Sequence, residues 1–157
     1  MSDTMQAPGG LLAPCTLGPL DLRNRVFVPG HTTNFGRQNR PTERTAAYHA
    51  ERARGGVGLI ITEAVRVHPT SAGRSISLGS FDDESIPAYA AVTEAVHAEG
   101  ASILAQIMHA GRQANGDATR TAAWSSSALP WAAGSHIPHA MGRGDIATIV
   151  SAFGDAA

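Results

Sequence analysis

The stretch Ser102–Arg112, SILAQIMHAGR, decides the fold of this chain. It begins with an apolar run of strand length, Ser102–Ile107, and Gln106 stands late in that run. His109, a glycine turn and an arginine follow. An apolar strand that presents polar side chains at its carboxyl end is typical of an active-site wall in a parallel α/β barrel. The stretch therefore predicts a parallel sheet with a functional site at the carboxyl ends of its strands.

Two earlier runs end in a similar way. Arg25–Pro29 is a short β-rich run that a Pro-Gly pair stops, and Val57–Thr62 is a continuous apolar run. A continuous apolar run is expected for a parallel strand that is covered on both faces. The polar ends of these two strands are predicted at Pro29–Thr32 and Thr62–Ala64.

Helices are predicted between the strands. Thr42 is the expected N-cap of the first helix, which has a mainly alanine buried face and ends at Gly55. The second helix opens at Ser85 and ends before Gly100, and the third has Asp145 as its expected N-cap. The segments 65–84 and 113–144 are predicted as long loops.

The order strand, helix, strand, helix, strand, helix predicts an α/β fold with a parallel sheet. We expect the N-terminal portion, about three βα units, of a TIM (β/α)8 barrel. A whole barrel needs roughly 250 residues, and this chain has 157. Residues 1–10 are predicted to be a disordered lead-in, and residues 11–157 an incomplete barrel domain.

Composition excludes several classes of function. The chain is 43% hydrophobic and 16% charged with a net charge of -1, so it is globular and has no basic stripe for nucleic acid or an anionic membrane. Neither a signal peptide nor an apolar run of membrane-spanning length is present in this sequence. One cysteine, Cys15, excludes an internal disulfide and fits a cytoplasmic location.

Two motifs have structural explanations, and one composition feature excludes a mechanism. The glycines at 55, 56 and 58 follow a helix and precede a strand, the reverse of a dinucleotide-binding loop, so they predict a helix stop. His136 and His139 flank a proline and have no acidic or cysteine neighbour in the sequence, so no metal site is predicted. The chain contains no lysine, which excludes a Schiff-base aldolase built on these residues.

Gln106 is the strongest candidate for ligand binding. Its amide has four hydrogen bonds to satisfy, and burying it unpaired would cost about 1–3 kcal/mol. Either a ligand or a neighbouring loop must pair with it, and its place late in the strand favours a ligand. His31 and Thr32 are either site residues or loop-capping residues, and His109 and Arg112 either serve the site or pair with the following loop.

Four segments resemble one family in order and spacing. They are NRVFVPGHTT, AERARGGVGLIITEA, the pair DDESIP and AVHAEGA, and QIMHAGRQ. They resemble the Old Yellow Enzyme family, whose members are FMN-dependent NAD(P)H oxidoreductases on a TIM barrel. The resemblance extends from about Leu11 to the end of the chain and covers the first third to half of a family barrel.

The resemblance implies a flavin-binding role for five residues and an FMN cofactor with NAD(P)H as the reductant. Pro29 and Gly30 would bring backbone close to the flavin, and Thr32 would contact the flavin edge. Ala64 would meet the flavin through its backbone, and the Gln106 amide would pair with the pyrimidine edge. The catalytic residues are unknown and expected beyond the last residue. An iron–sulfur cluster is compatible only with a part outside this chain.

The implied reaction is hydride transfer from reduced flavin to an activated C=C of a small-molecule substrate. Gly30 and His31 replace the Pro-Met or Pro-Leu of many family members, and the histidine resembles the branch that oxidises amines, so an amine dehydrogenase or N-demethylase is the first alternative. The second alternative is a non-catalytic barrel fragment. The interpretation allows a homo-oligomer.

Overall fold

The computed structural model of the protein describes residues 9–114 and 121–157. The predicted lead-in therefore falls mainly outside the described residues. The helices are α1 (Glu43–Arg54), α2 (Ile86–Ala98) and α3 (Arg143–Asp155). None of these helices combines the length and the apolar character that a membrane span requires.

The strands are short except for two. In chain order they are β1 (Cys15–Leu17), β2 (Leu20–Leu22), β3 (Phe27–Val28), β4 (Leu59–Arg66), β5 (Leu78–Gly79), β6 (Ser102–Met108), β7 (Trp124–Ser125) and β8 (His139–Ala140). β1 and β2 form an antiparallel hairpin that turns at Gly18, whose φ of 57° suits glycine. β7 and β8 form a two-stranded parallel ladder inside the predicted loop 113–144.

A parallel sheet is built around β4. One edge of β4 pairs with β6 over most of its length, while β3 and β5 pair with the beginning and the end of β4. In the sheet, β3, β4 and β6 thus lie side by side in the order in which they occur along the chain. A helix lies in each connection. This is the arrangement of consecutive βα units that the sequence predicts.

The core lies between the sheet and the first two helices. Helix α1 contributes Ala53 and α2 contributes Val96, and both are fully buried against Ile60 of β4. Ile103 of β6 packs against the same cluster. Because side chains alternate along a strand, Leu104 and Gln106 point to the opposite face of β6.

The register between β4 and β6 shifts in the middle of the ladder. Ile61 pairs with Leu104 and Ala64 pairs with Gln106, so β4 uses three steps where β6 uses two. The extra residue makes a β-bulge at Thr62–Glu63. After the bulge, Ala64 lies on the same face as Gln106.

We call this face the inner face. It is formed by alternate residues of β6 and by the residues of β4 that pair with them: Leu104, Gln106, Met108, Ile61, Ala64 and Arg66. Leu104 is 43% exposed, so the inner face is open in the described part of the chain.

The strand prediction is wrong at the carboxyl end of the second strand. We expect Val57–Thr62, but β4 continues to Arg66 because the bulge lets Thr62 and Glu63 bond to other elements without ending the ladder. The predicted loop 65–84 therefore starts later, and it contains the 3-10 turn Pro69–Ser71 as well as β5.

Two helix details also differ from the predictions. The buried residues of α1 are Thr45, His49 and Ala53, so its buried face is not mainly alanine. The Thr45 hydroxyl is tolerated there because it accepts a hydrogen bond from the backbone of the N-cap residue Thr42, at 3.1 Å. The N-cap of α3 is Gly142, and Asp145 stands inside the first turn, where its carboxylate accepts the Gly142 N–H at 2.9 Å.

Truncation of Ile60 should be costly because its side chain is fully buried. We expect Ile60→Ala to lower the free energy of unfolding by about 2–5 kcal/mol, since it leaves a cavity between β4 and the helices. Leu104→Ala on the open inner face should cost much less. Urea denaturation followed by circular dichroism measures both, and equal costs would contradict this assignment of the two faces.

His49 should make stability depend on pH. It is fully buried, and burial, with the nearby charges of His31 and Arg52, lowers its pKa to about 4 from an ordinary value of 6.5. The unfolded chain therefore binds a proton that the folded chain does not bind. The free energy of unfolding should fall as pH drops below 6.5 and should keep falling until about pH 4.

We expect this loss to reach roughly 3 kcal/mol, and His49→Leu should abolish it. Unfolding free energies at several pH values between 7 and 4 test the expectation, with His97→Leu on the exposed surface of α2 as the matched control. Identical pH profiles for His49→Leu and the unmodified chain would refute it.

Candidate functional site

Three of the five predicted flavin-binding residues come together on the inner face. Ala64 and Gln106 pair across the β4–β6 ladder. The Gln106 side chain is exposed, and within residues 9–114 and 121–157 its amide has no hydrogen-bond partner. The burial cost that the sequence suggests therefore does not apply, but the amide is free to pair with a ligand.

Gly30 completes this group because it lies against the Gln106 amide. A Cβ at position 30 would stand 2.3 Å from Oε1 of Gln106 and 2.8 Å from the carbonyl oxygen of Thr62. No side chain larger than hydrogen fits without moving the backbone of β4 or the glutamine. The loop after β3 thus passes close to both longer strands at this point.

Pro29 and Thr32 stand on either side of Gly30. The carbonyl of Pro29 accepts a hydrogen bond from Nδ1 of His31 at 2.9 Å. Thr32 is exposed, and no hydrogen bond joins it to Ala64 or Gln106 in the described part of the chain. The structure therefore places Thr32 beside the group but does not connect it to the group.

Glu63 is a buried residue beside the candidate site that the sequence interpretation missed. It is 1% exposed, and its carboxylate accepts two hydrogen bonds from Thr33, one from the backbone N–H at 3.2 Å and one from the hydroxyl. Thr33 directly follows Thr32. The signal in the sequence was a Thr-Glu pair at the end of an apolar run, which the prediction used only as a strand end.

Thr62 links the same bulge to β6. Its hydroxyl accepts the backbone N–H of Gln106 at 3.2 Å and donates to the Glu63 carbonyl at 2.8 Å. The bulge residues therefore bond to the strand that carries Gln106 and to the loop that carries Thr32.

His31 points towards α1. Its Nδ1 is hydrogen-bonded to the Pro29 carbonyl, and its Nε2 is hydrogen-bonded to the Tyr48 hydroxyl at 2.5 Å. The Arg52 guanidinium lies 3.2 Å from the centre of the Tyr48 ring and holds that ring in place. His31 is thus fixed between its own backbone and α1.

His109 pairs with the preceding loop, whereas we expect it to serve the site or the following loop. Gly111 N–H donates to its Nδ1 at 3.0 Å, so Nε2 carries the proton and donates to the Thr70 hydroxyl at 3.0 Å. That hydroxyl in turn donates to Nδ1 of His68 at 2.8 Å. Burial lowers the pKa of both histidines, which favours their neutral forms. Arg112 is exposed on the turn that follows.

His139 has an acidic partner that the local sequence does not suggest. Its Nε2 lies 2.9 Å from the carboxylate of Asp145, and this hydrogen bond, together with the bond from Gly142, lowers the pKa of that carboxyl group. Among the described residues, no group of three or more potential metal ligands is present.

A cavity of about 890 Å³ lies on the other side of the sheet. Val65, Ile107 and Tyr89 line it together with the end of α3. None of the five predicted flavin-binding residues borders this cavity, so the candidate site is the inner face at the ends of β3, β4 and β6.

Two known proteins are similar in sequence to this chain over part of their own length. A probable N-methylproline demethylase of Rhizobium meliloti is 37% identical over 156 residues, which cover 94% of the chain and 22% of the relative. The 12-oxophytodienoate reductase 1 of Oryza sativa subsp. japonica is 36% identical over 107 residues, or 68% of the chain and 28% of the relative. The chain thus spans less than a third of either relative.

A solved structure, the Old Yellow Enzyme homologue from Zymomonas mobilis, superposes with a TM-score of 0.80 at 26% identity, over 94% of this chain and 44% of that one. This confirms the predicted fold class, the N-terminal portion of a TIM barrel, and the resemblance to Old Yellow Enzymes. The family model of the NADH:flavin oxidoreductases and NADH oxidases matches residues 10–157. The chain therefore belongs to the NADH:flavin oxidoreductase / NADH oxidase family.

Proposed function

We propose that this chain forms one wall of an FMN site in an NAD(P)H-dependent oxidoreductase. Membership of the NADH:flavin oxidoreductase family supports this proposal. The observation that carries it is the approach of Gly30 to the free Gln106 amide beside Ala64. A group that both donates and accepts, next to backbone with no side chain in the way, suits the edge of a planar heterocycle.

The residues of the wall have separate proposed roles. The Gln106 amide pairs with the pyrimidine edge of the flavin, and Gly30 and Ala64 let the ring approach the backbone. Pro29 ends the strand so that the chain crosses the ring, and Thr32 contacts the flavin edge. When bound, FMN would supply hydride transfer, and these residues would orient it and tune its electrostatics. Catalytic residues are expected outside this chain.

For the whole protein we propose reduction of an activated C=C in a small-molecule substrate. The name of the rice relative, an oxophytodienoate reductase, supports this class of reaction.

A cytoplasmic location fits the single cysteine, Cys15. An iron–sulfur cluster would require cysteines outside this chain, and a homo-oligomer is compatible with the proposal.

The alternative is oxidative demethylation of an amine by the same cofactor. The probable N-methylproline demethylase supports it, because its similarity extends over 94% of the chain. His31 is the residue that suggested this branch, and its bond to Tyr48 turns it towards α1. In both alternatives we therefore place His31 next to α1 and not against the flavin.

FMN binding tests the proposed wall directly. We expect the purified chain to quench the fluorescence of added FMN, and Gln106→Ala to weaken binding by about 10- to 100-fold, since it removes hydrogen bonds worth roughly 1–3 kcal/mol. Gln113→Ala, at an exposed glutamine of the following turn, is the control. No binding by the unmodified chain, or equal binding by Gln106→Ala, would contradict the proposal.

Gly30 offers a second test that adds atoms instead of removing them. Gly30→Ala should displace the Gln106 amide and weaken FMN binding by at least the tenfold expected for one hydrogen bond. The control is Gly154→Ala, where a Cβ meets nothing within 4 Å and should stabilise α3. Unchanged FMN affinity in a folded Gly30→Ala protein would show that the ring does not lie against this residue.

A further inference from the structure

We propose that the bulge residues Thr62 and Glu63 are positioning residues for the flavin. Each holds one segment of the wall: Thr62 holds β6 at Gln106, and Glu63 holds the loop after β3 at Thr33. This inference rests on the proposed function, which it deepens by naming what sets the geometry of the wall.

Burying the Glu63 carboxylate costs desolvation free energy, which its hydrogen bonds must offset. A buried carboxylate must recover the hydration that it loses. Glu63 forms no salt bridge in the described part of the chain, and Arg66 acts on it only as a longer-range charge. Both of its hydrogen bonds come from Thr33. The Thr33 hydroxyl also accepts the backbone N–H of Phe35 at 3.3 Å, so its own proton is directed to Glu63.

Thr33 connects this carboxylate to the wall. It follows Thr32 and stands three residues after Gly30, where a Cβ would already be too close to Gln106. A small movement of this loop would therefore either push Gly30 into the Gln106 amide or separate the two residues. Because side chains alternate along β4, Glu63 points to the face opposite that of Ala64, so its carboxylate holds the loop without occupying the inner face.

Thr62 holds β6, the strand on the other side of β4, in a similar way. At the register shift the Gln106 backbone N–H donates to a side chain, the Thr62 hydroxyl, at 3.2 Å. A second bond, to the Glu63 carbonyl, fixes the rotation of that hydroxyl. One bulge thus bonds to both neighbours of β4 at the height of the candidate site.

Two measurements on the 157-residue chain test the proposal, and only one of them needs a ligand. Hydrogen exchange reports the backbone amides of Thr33 and Gln106 without FMN. Fluorescence titration gives the FMN dissociation constant, and the visible spectrum of bound FMN reports the surroundings of the ring. The variants are Glu63→Gln, Thr33→Val and Thr62→Val, with Thr33→Ser and Thr62→Ser as conservative partners. Glu84→Gln, at an exposed carboxylate, is the surface control.

We expect Glu63→Gln and Thr33→Val to speed exchange at Thr33 and Thr62→Val to speed exchange at Gln106, while core amides of β4 keep their protection. Each variant should weaken FMN binding by about tenfold and shift the flavin spectrum. Glu63→Gln combined with Thr33→Val should weaken it little further, because the two changes remove one interaction. The serine variants should match the unmodified chain.

Three results would overturn the proposal: unchanged exchange at Thr33 and Gln106, unchanged FMN affinity in folded variants, or serine variants as impaired as the valine variants. Failure of the unmodified chain to bind FMN would instead refute the proposed function. The exchange rates would then decide alone whether the bulge holds the two segments.

Discussion

The extra residue in β4 is the constraint on which this end of the sheet depends. Without the register shift between Ile61 and Ala64, alternation would turn Ala64 towards the helices and away from Gln106. The bulge brings these two residues to one face and frees two polar side chains, Thr62 and Glu63, to bond outside the ladder. A local irregularity thus gives three separate segments a common geometry.

The architecture followed from hydrophobic pattern and helix-ending residues. The continuous apolar run before Thr62, the glycine at position 100 and the polar end of Ser102–Ile107 were enough for consecutive βα units. Gly100 does adopt the positive φ, 75°, that a helix-ending glycine is expected to have. These signals are local, so a single sequence carries them.

The site was harder to predict because its contacts join distant parts of the chain. Gln106 was identified from its place late in a strand and Gly30 from the family resemblance, but the exclusion of a side chain at position 30 is visible only when β3, β4 and β6 are assembled. The pairing of Glu63 with Thr33 spans thirty residues, and no periodic pattern announces it. The same holds for His109 and Thr70, which meet because two loops leave adjacent strands.

The indole of Trp124 contacts two imidazoles from other segments of the chain. Its ring centre lies 5.2 Å from that of His68 and 5.7 Å from that of His139. A protonated imidazole quenches the emission of a neighbouring indole such as Trp124. Trp131, in contrast, is 57% exposed and should emit like a solvated tryptophan. The chain therefore carries its own optical probe of these loops, because the fluorescence of Trp124 reports changes in its contacts with His68 and His139.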